Sequence, residues 1–338
     1  MASRKKGRGD SALMVLEDLW GGWRAQALVT AIDLDVFAHL AANKRTVGQL
    51  AAATHATPRG MRGLLDALVA MRYLGKRGDR YNLRRPAELF LVPGRQSYVG
   101  AMASVTRATW EDWPRLAEVI RSGRPCGQPG RSGDEEERYA ELAGALFGGN
   151  HRAALAAVET FPPRRLQPIH DILDAAAGSG AWSIAFAKAL PEARVTALDF
   201  PAVLAVTRRF ARSEGVEQRY SFRGGDLRKA DLGKESYDLV ILGHILHSFG
   251  PSDARELIRR SAAALRPGGS LLVADFLPND VRTGPLLPLL FGLNMLLHTE
   301  QGDAYTLREY RTWIREAGLH VGRLLSVGAA SPLILGTK

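Results

Sequence analysis

Short apolar runs alternate with amphipathic helical segments from about residue 172 to the end of the chain. The runs have the length of buried strands, and the segments between them repeat apolar residues at helical spacing. This alternation predicts an α/β unit with a mostly parallel sheet. The predicted strands are 172–173, 194–198, 220–222, 237–242, 270–274, 321–325 and 333–336, and the predicted helices are 182–190, 202–214, 251–265 and 307–317.

The first part of the chain has helical spacing instead. Apolar residues recur every three or four positions over 11–40, which predicts two helices. Thr46 and the pair Thr57-Pro58 are typical helix starts. Two short strands, 73–74 and 80–83, complete a helix-turn-helix with a hairpin wing.

The middle of the chain separates these two patterns. Residues 87–120 and 136–160 are predicted to be helical. Between them, 121–137 is rich in glycine, proline and charge, and it predicts an exposed loop. The double proline at 162–163 is the predicted domain boundary.

The composition is that of a globular protein. The chain has 338 residues, of which 46% are hydrophobic and 24% charged. No apolar run reaches the roughly 18 residues of a membrane span, and no apolar signal region follows the basic start. Cys126 is the single cysteine, which excludes an internal disulfide and a cysteine-based metal site. These features predict a cytoplasmic protein without a membrane span.

The net charge of +10 permits contact with nucleic acid. Four of the basic residues lie in the first ten positions and the others are scattered, so nucleic-acid binding is not favoured. The second helix of the predicted helix-turn-helix holds Arg59 and Arg62, and Arg72 follows it. A winged-helix regulator with a ligand-sensing domain therefore stays an alternative.

The segment from Ile172 to Asp199 carries the clearest chemical signal. It predicts a strand, a turn of small residues (DAAAGSG, 174–180), a helix and a second strand that ends at Asp199. An acid about 20 residues beyond such a turn is placed to bind two ribose hydroxyls. No GxGxxG occurs, and the acid before the turn suits a cationic amino-acid tail. Ala176, unlike the glycines of this turn, is expected to have a negative φ.

Further motifs follow in a fixed order, each at the end of a predicted strand: GGDL (224–227), DLVILGHILHSF (238–249) and ALRPGGSLLVAD (264–275). Over about residues 12–330, the chain resembles the plant-type (caffeate/acetylserotonin-like) class I O-methyltransferases. The resemblance implies a Rossmann-like methyltransferase domain with a mostly parallel seven-stranded sheet and an N-terminal winged-helix domain that forms a homodimer. It also implies S-adenosylmethionine as cofactor, S-adenosylhomocysteine as product, and no metal.

The domain organisation that we predict combines the composition with this resemblance. It comprises a disordered basic tail (1–10), a winged-helix-like dimerisation domain (11–100), a helical linker with part of the acceptor pocket (101–163) and the cofactor-binding domain (164–338).

The resemblance also implies a cofactor site at the ends of the first four strands of this sheet. Gly243 stands where the family often has a lysine near the cofactor, so that contact is missing here. Asp226 has a simpler alternative role as the cap of a turn. By position, Asp174, Ala176, Gly178 and Gly180 would line the methionine and ribose side, Asp199 would hold the ribose diol, Phe200 would flank the adenine, Asp226 would accept from the adenine amino group with Gly225 and Leu227 beside it, and Gly243 and His244 would be neighbours of the cofactor.

His247, in the segment ILHSF, corresponds to the family's general base. Asp275 matches one of the acids that orient this histidine. The second acid falls at Ala304, and Ser248 replaces the usual aspartate after the histidine, so the orienting groups are incomplete. Transfer to carbon, nitrogen or sulfur, another reaction on the same fold, and a purely structural histidine stay alternatives.

The predicted acceptor pocket is large and apolar, which suits an aromatic or polycyclic small molecule. Ordinary core packing is an equally good interpretation of its apolar residues. Phe147, Asn150, Met295 and Thr299 match positions that face the acceptor in the family, and Met102, Phe291 and His298 are their predicted neighbours.

Overall fold

The computed structural model describes residues 12–126, 134–162, 166, 169–325 and 331–338. The chain divides into two compact units, between Thr106 and Arg107. The predicted tail 1–10 and residues 127–133 of the predicted loop lie outside the described residues. The domain boundaries predicted at 100 and 163 stay predictions.

The first unit consists of helices and one hairpin. Its hydrophobic core lies between α2, α3, α4, α5 and the hairpin. The elements are α1 (Ala12–Leu19), α2 (Gly21–Asp33), α3 (Val36–Ala41), α4 (Val47–Ala53), α5 (Pro58–Ala70), β1 (Leu74–Arg77), β2 (Arg80–Leu83) and α6 (Arg85–Phe90). Helix α7 (Met102–Ala108) begins in this unit and includes the point of division.

The predicted helix starts in this unit are confirmed. Thr46 caps α4 in a capping box with Gln49, and the Thr57 hydroxyl accepts from the backbone N–H of Gly60 at the start of α5. The strands β1 and β2 pair in antiparallel fashion, as predicted. The prediction of two helices over 11–40 is wrong in number, since three form. The last break follows Leu34, because Asp35 has a φ of 50°.

The prediction of continuous helix over 87–120 is also wrong. Helix α6 ends at Phe90, and α7 begins only at Met102. A turn at Pro93-Gly94 separates them, with a φ of 82° at Gly94 that a helix cannot accommodate. The next α-helix is α8 (Leu116–Ser122).

The second unit is a seven-stranded sheet covered by helices on both faces. Its elements are α9 (Asp134–Thr160), β3 (Asp171–Ala175), α10 (Ala181–Ala189), β4 (Arg194–Asp199), α11 (Pro201–Ser213), β5 (Tyr220–Gly224), β6 (Tyr237–Gly243), α12 (Pro251–Ala264), β7 (Leu265–Ala274), α13 (Leu286–His298), α14 (Leu307–Glu316), β8 (His320–Val321) and β9 (Leu333–Thr337). The predicted strands and helices are confirmed with ends that differ by a few residues, apart from the strand predicted over 321–325, since β8 ends at Val321. Helix α13 was not predicted from the sequence.

The strand order is β5-β4-β3-β6-β7-β9-β8. The first five strands are parallel, and β9 runs antiparallel between β7 and β8. From β3 the chain proceeds outward to β4 and β5, then returns to β6 on the other side of β3. Open α/β sheets bind ligands at such a reversal, in the crevice beyond the carboxyl ends of the strands.

Alternating strand residues supply the two cores of this unit. Ile172 packs with α9, α10 and α11 on one face, whereas Leu173 packs with α12 and α14 on the other. Both faces of the central strands are therefore buried, which explains their nearly continuous apolar sequences. Among the helices that the structure describes, none has the length and apolar character needed to cross a bilayer.

Candidate functional site

The carboxyl ends of β3, β4, β6 and β7 bring together most of the polar residues singled out from the sequence. Asp174 is the penultimate residue of β3, Asp199 ends β4, and Asp275 directly follows β7. His247 lies in a short 3₁₀ turn, Leu246–Ser248, just beyond β6. The site therefore has two parts: Asp174 and Asp199 lie at the ends of β3 and β4, and His247 and Asp275 lie beside them at the ends of β6 and β7.

Backbone hydrogen bonds fix the carboxylate of Asp199. One oxygen accepts from the N–H of Gly178 at 2.8 Å, and the other accepts from the N–H of Phe200 at 2.8 Å. Among the described side chains, none forms an ion pair with it. Burial raises the pKa of Asp199 above its usual value, and the N–H groups of Gly178 and Phe200 act against this shift. The group is therefore oriented by the small-residue turn itself.

The turn contains one strained residue. Ala176 has a φ of 62°, so the expectation of a negative φ there is wrong. Its N–H donates to the carbonyl of Leu198 at 2.9 Å, and the N–H of Ala177 shares that carbonyl. These two bonds tie the turn to β4 and hold Ala176 in the left-handed region that favours glycine.

Replacing Ala176 with glycine should therefore stabilise the protein. Glycine adopts this φ without the cost of a Cβ, which is about 1–2 kcal/mol for other residues, while its greater freedom in the unfolded chain offsets part of the gain. We expect a net increase in the free energy of unfolding of about 1 kcal/mol, measured by urea denaturation. Ala177→Gly is the matched control and should destabilise, because Ala177 has no positive φ. Equal destabilisation by both substitutions would contradict the claim that the backbone is strained at Ala176.

Asp174 is buried, with 1% of its surface exposed. The Ser183 hydroxyl donates to it at 2.5 Å, and the Tyr220 hydroxyl donates to Ser183 in turn at 3.1 Å. Burial raises the pKa of Asp174 to about 7, and the nearby charge of Asp199 adds to this shift. A group of this kind gains or loses a proton easily when a charged ligand approaches.

The raised pKa makes stability depend on pH. Between the ordinary value of 3.8 and about 7, the folded protein binds more protons at Asp174 than the unfolded chain does. The free energy of unfolding should therefore fall as the pH rises through this window, by up to about 4 kcal/mol. Asp174→Asn should flatten the fall in urea denaturation series between about pH 5 and about pH 8. Asp66→Asn, at an exposed carboxyl, should leave it unchanged. A fall as steep in Asp174→Asn as in the wild type would contradict this assignment.

Asp226 caps its own turn. Its carboxylate accepts from the backbone N–H of Arg228 at 2.9 Å and pairs with the guanidinium of the same residue at 3.0 Å. The N–H of Gly225 donates to the carbonyl of Asp199 at 3.0 Å, so this turn is fixed beside the acid of β4. Leu227 is buried next to it. The turn-capping alternative is realised, and the contact of Asp226 with an adenine stays a prediction.

His247 and Asp275 form a buried pair. The Nδ1 atom of His247 lies 2.6 Å from Asp275 Oδ1. Three further donors reach the same carboxylate: the Tyr310 hydroxyl at 2.8 Å, and the backbone N–H groups of Phe276 at 2.8 Å and His247 at 3.3 Å. Burial alone would raise the pKa of Asp275, but His247 and Tyr310 hold it below its usual value.

This arrangement sets the tautomer of His247. The ionised Asp275 can only accept, so Nδ1 carries the proton and donates it to the carboxylate. The Nε2 atom then keeps its lone pair, as a general base requires. Tyr310 was not singled out from the sequence, because its spacing on α14 indicates only a core position. Ala304 is buried without a carboxylate, and Glu300 is exposed, so Asp275 alone orients the ring among the described acids.

Aromatic rings surround the pair. The Phe291 ring meets His247 edge-on at 4.7 Å and lies 4.2 Å from the Phe276 ring, centroid to centroid. His244 lies 5.3 Å from Phe276 and 6.3 Å from His247. Trp182 on α10 lies 6.1 Å from His244. Phe276 and Trp182 were not singled out from the sequence. Phe276 directly follows Asp275 at the end of β7, so its position at a strand end could have identified it.

His244 has a strained backbone, with a φ of 58°. Burial lowers its pKa to about 4, against the opposing charge of Asp275, so the ring is neutral near pH 7. The ligand atoms of His244, His247 and Asp275 all lie within 4.8 Å of one another. Four donors already occupy Asp275, which favours an acid–base pair over a metal centre. The absence of a metal stays a prediction.

Helix α13 and the residue that follows it supply four of the seven predicted acceptor residues. Phe291 contacts the catalytic histidine candidate, and Met295 is buried one turn later. The Thr299 hydroxyl donates to the carbonyl of Met295 at 2.7 Å. His298 lies 3.7 Å from Asp112, and its Nε2 atom is buried with no partner among the described residues.

The other predicted acceptor residues are placed differently. Phe147 stacks on Phe210 at 3.8 Å and belongs to the core between α9 and α11. Asn150 is half-buried one turn later on α9. Met102 lies on α7. Pocket roles for these three residues stay predictions, and the described contacts of Phe147 are those of a core residue.

Comparison with protein families gives two matches. An O-methyltransferase domain matches residues 132–320, and an O-methyltransferase dimerisation domain matches residues 18–93. The second match covers the segment that the sequence predicts as a winged helix.

Individual relatives extend over nearly the whole chain. The tetracenomycin polyketide synthesis 8-O-methyl transferase TcmO of Streptomyces glaucescens is 30% identical, over 98% of this chain and 97% of that protein. The 3-hydroxy-5-methyl-1-naphthoate 3-O-methyltransferase of Streptomyces sahachiroi is 31% identical, over 96% of this chain and 95% of that protein. Human N-acetylserotonin methyltransferase, solved in complex with S-adenosylmethionine, superimposes with a TM-score of 0.84 at 26% identity, over 100% of this chain and 99% of that one.

Proposed function

The chain belongs to the O-methyltransferase family that carries a dimerisation domain, and from this premise we propose that its acceptor is a hydroxyl on an aromatic or polycyclic small molecule, deprotonated by His247. The protein is an S-adenosylmethionine-dependent O-methyltransferase. The observation that carries the proposal is the 2.6 Å contact between His247 Nδ1 and Asp275.

Two observations support an aromatic acceptor. The Phe276 ring lies against His244, the Phe291 ring lies against His247, and the two phenylalanine rings lie against each other. Planar rings pack well on such surfaces. Two relatives that match almost the whole chain are named for polyketide synthesis and for a hydroxynaphthoate. The same reaction on this chain would place the acceptor between α13 and the end of β7.

The residues at the strand ends fit the cofactor. A side chain at Gly178 would meet only the Cβ of Ala143 at 3.9 Å, and one at Gly225 would meet nothing within 4 Å, so both turns leave room for a ligand against the backbone. Asp199 would hold the ribose diol between them. The cofactor supplies, when bound, a methyl group on a positively charged sulfur.

His247 and Asp275 account for the rest of the chemistry. Nε2 of His247 would take the proton of the acceptor hydroxyl, and the carboxylate of Asp275 would stabilise the charged ring that results. A base placed in this way typically contributes about 10²–10⁴-fold. Burial of the pair keeps Nε2 in one orientation, and precise alignment of the reactants can supply about 7–11 kcal/mol more.

The first unit supports assembly as a homodimer. Helix α1 buries none of its residues, and large apolar side chains of α1 and α2 are exposed, among them Leu19 and Trp23 at 73% and 69%. A surface of this kind marks an interaction site. The match to a dimerisation domain makes a second copy of this chain the proposed partner.

A panel of acceptors tests the proposed function. We would incubate the enzyme with S-adenosylmethionine carrying a labelled methyl group and with phenols, polycyclic hydroxyl compounds, thiols and amines, and read the products by mass spectrometry. The proposal expects methylated products from the phenols or polycyclic compounds, with the label on oxygen. Products from thiols or amines alone would overturn it.

A further inference from the structure

The indole of Trp182 is a buried donor without an acceptor. Trp182 lies in the first turn of α10, with 3% of its surface exposed. Its Nε1 atom has no hydrogen-bond partner in the part of the chain that the structure describes. Leaving a buried N–H unsatisfied is costly, so such a group in a native site calls for a bound acceptor.

The indole N–H lies at the reversal point of the sheet. A Cβ at Gly243 would come within 2.7 Å of Nε1 and 2.5 Å of Cδ1 of Trp182. The indole thus fills the space that a side chain at the end of β6 would take. This end of β6 adjoins β3, whose small-residue turn precedes Trp182, so the unpaired N–H belongs to the proposed cofactor crevice.

The order of the strands indicates which part of a ligand lies there. If Asp199 at the end of β4 holds the ribose, the amino-acid tail of the cofactor extends across β3 towards β6. That tail carries a sulfonium, an ammonium and a carboxylate. The first two cannot accept a hydrogen bond, so the carboxylate is the acceptor available to the indole.

We propose that the Trp182 indole donates a hydrogen bond to the carboxylate of the amino-acid tail of S-adenosylmethionine, and that glycine at 243 leaves the room for it. The proposal rests on the cofactor site described above. It assigns to an indole the place near the cofactor at which the family often has a lysine.

Calorimetry with two ligands tests the proposal. S-adenosylhomocysteine carries the carboxylate, and its decarboxylated analogue lacks it but keeps the adenosine and the amine. Trp182→Phe should lower the affinity for S-adenosylhomocysteine roughly 10- to 100-fold, as expected for the loss of a hydrogen bond to a charged group. It should change the affinity of the analogue by less than about threefold. Trp313→Phe, which removes another buried indole, is the matched control and should leave both affinities unchanged.

The other outcomes overturn the proposal. Equal losses for both ligands would mean that the ring acts by packing alone, and no loss for either would leave the indole without this role. Failure of the wild type to bind S-adenosylhomocysteine would instead refute the cofactor site itself. If Trp182→Phe does not fold, the indole ¹⁵N–¹H resonance of Trp182 in the wild type tests the proposal instead. This resonance should shift when S-adenosylhomocysteine binds and should shift much less when the analogue binds. Equal shifts with the two ligands would overturn the proposal.

Discussion

Replacing His247 with asparagine should lower kcat for a phenolic acceptor by about 10²–10⁴-fold, the usual contribution of a positioned general base. Asparagine keeps a polar group of similar reach but cannot accept a proton. The ionised Asp275 would still be held by Tyr310 and by backbone N–H groups, so the site should keep its shape. Steady-state kinetics with a saturating acceptor measures the effect.

Binding of S-adenosylhomocysteine is the control for this variant. Since His247 lies over β6 and β7 and the proposed ribose site lies over β3 and β4, the affinity of His247→Asn should stay within about threefold of the wild type. Turnover close to that of the wild type would mean that the histidine is structural, and it would favour an acceptor that needs no base.

Replacing Asp199 with alanine should lower the affinity for S-adenosylhomocysteine at least about 100-fold, because two charge-assisted hydrogen bonds to the ribose diol are lost. The substitution also removes the acceptor of the N–H groups of Gly178 and Phe200. Calorimetry on the purified variant measures the loss.

Asp199→Asn separates the two contributions to this loss. Asparagine offers an oxygen to the N–H of Gly178 and lacks the charge. An affinity as low as that of Asp199→Ala would assign the loss to the charged contact with the ribose, whereas near-complete recovery would assign it to the turn. Unchanged affinity in Asp199→Ala would mean that the ribose is bound elsewhere.

The strand ends were predictable because they follow from local sequence. The apolar runs before Asp199 and Asp275 end at those acids, and parallel strands place such residues at one edge of the sheet. The contact between His247 and Asp275 was then expected from the resemblance, and the structure brings them together. Most of the second half of the fold was predictable for the same reason, since strands and helices alternate over most of it. The exceptions are the connection from β5 to β6, which has no α-helix, and the successive helices α13 and α14.

Contacts made by tertiary packing were not predictable in this way. Tyr310 reaches Asp275 from α14, and only the packing of α14 on the sheet brings it there. Trp182 has the sequence environment of a core residue. Only the structure shows that its indole packs against Gly243 and that its N–H has no partner among the described residues. The positive φ of Ala176 accompanies hydrogen bonds from the turn to Leu198 on β4, a residue distant in the sequence.

The dependence of the rate on the acidity of the acceptor tests the role of His247 most directly. A series of phenols with falling pKa can be methylated by the wild type and by His247→Asn, and log kcat/KM compared with the acceptor pKa. Removal of the proton by His247 predicts a large deficit of the variant for acceptors near pKa 10. The deficit should nearly vanish for acceptors that are already ionised at the assay pH. A deficit of the same size for every acceptor would contradict the account, because His247 would then act by positioning alone.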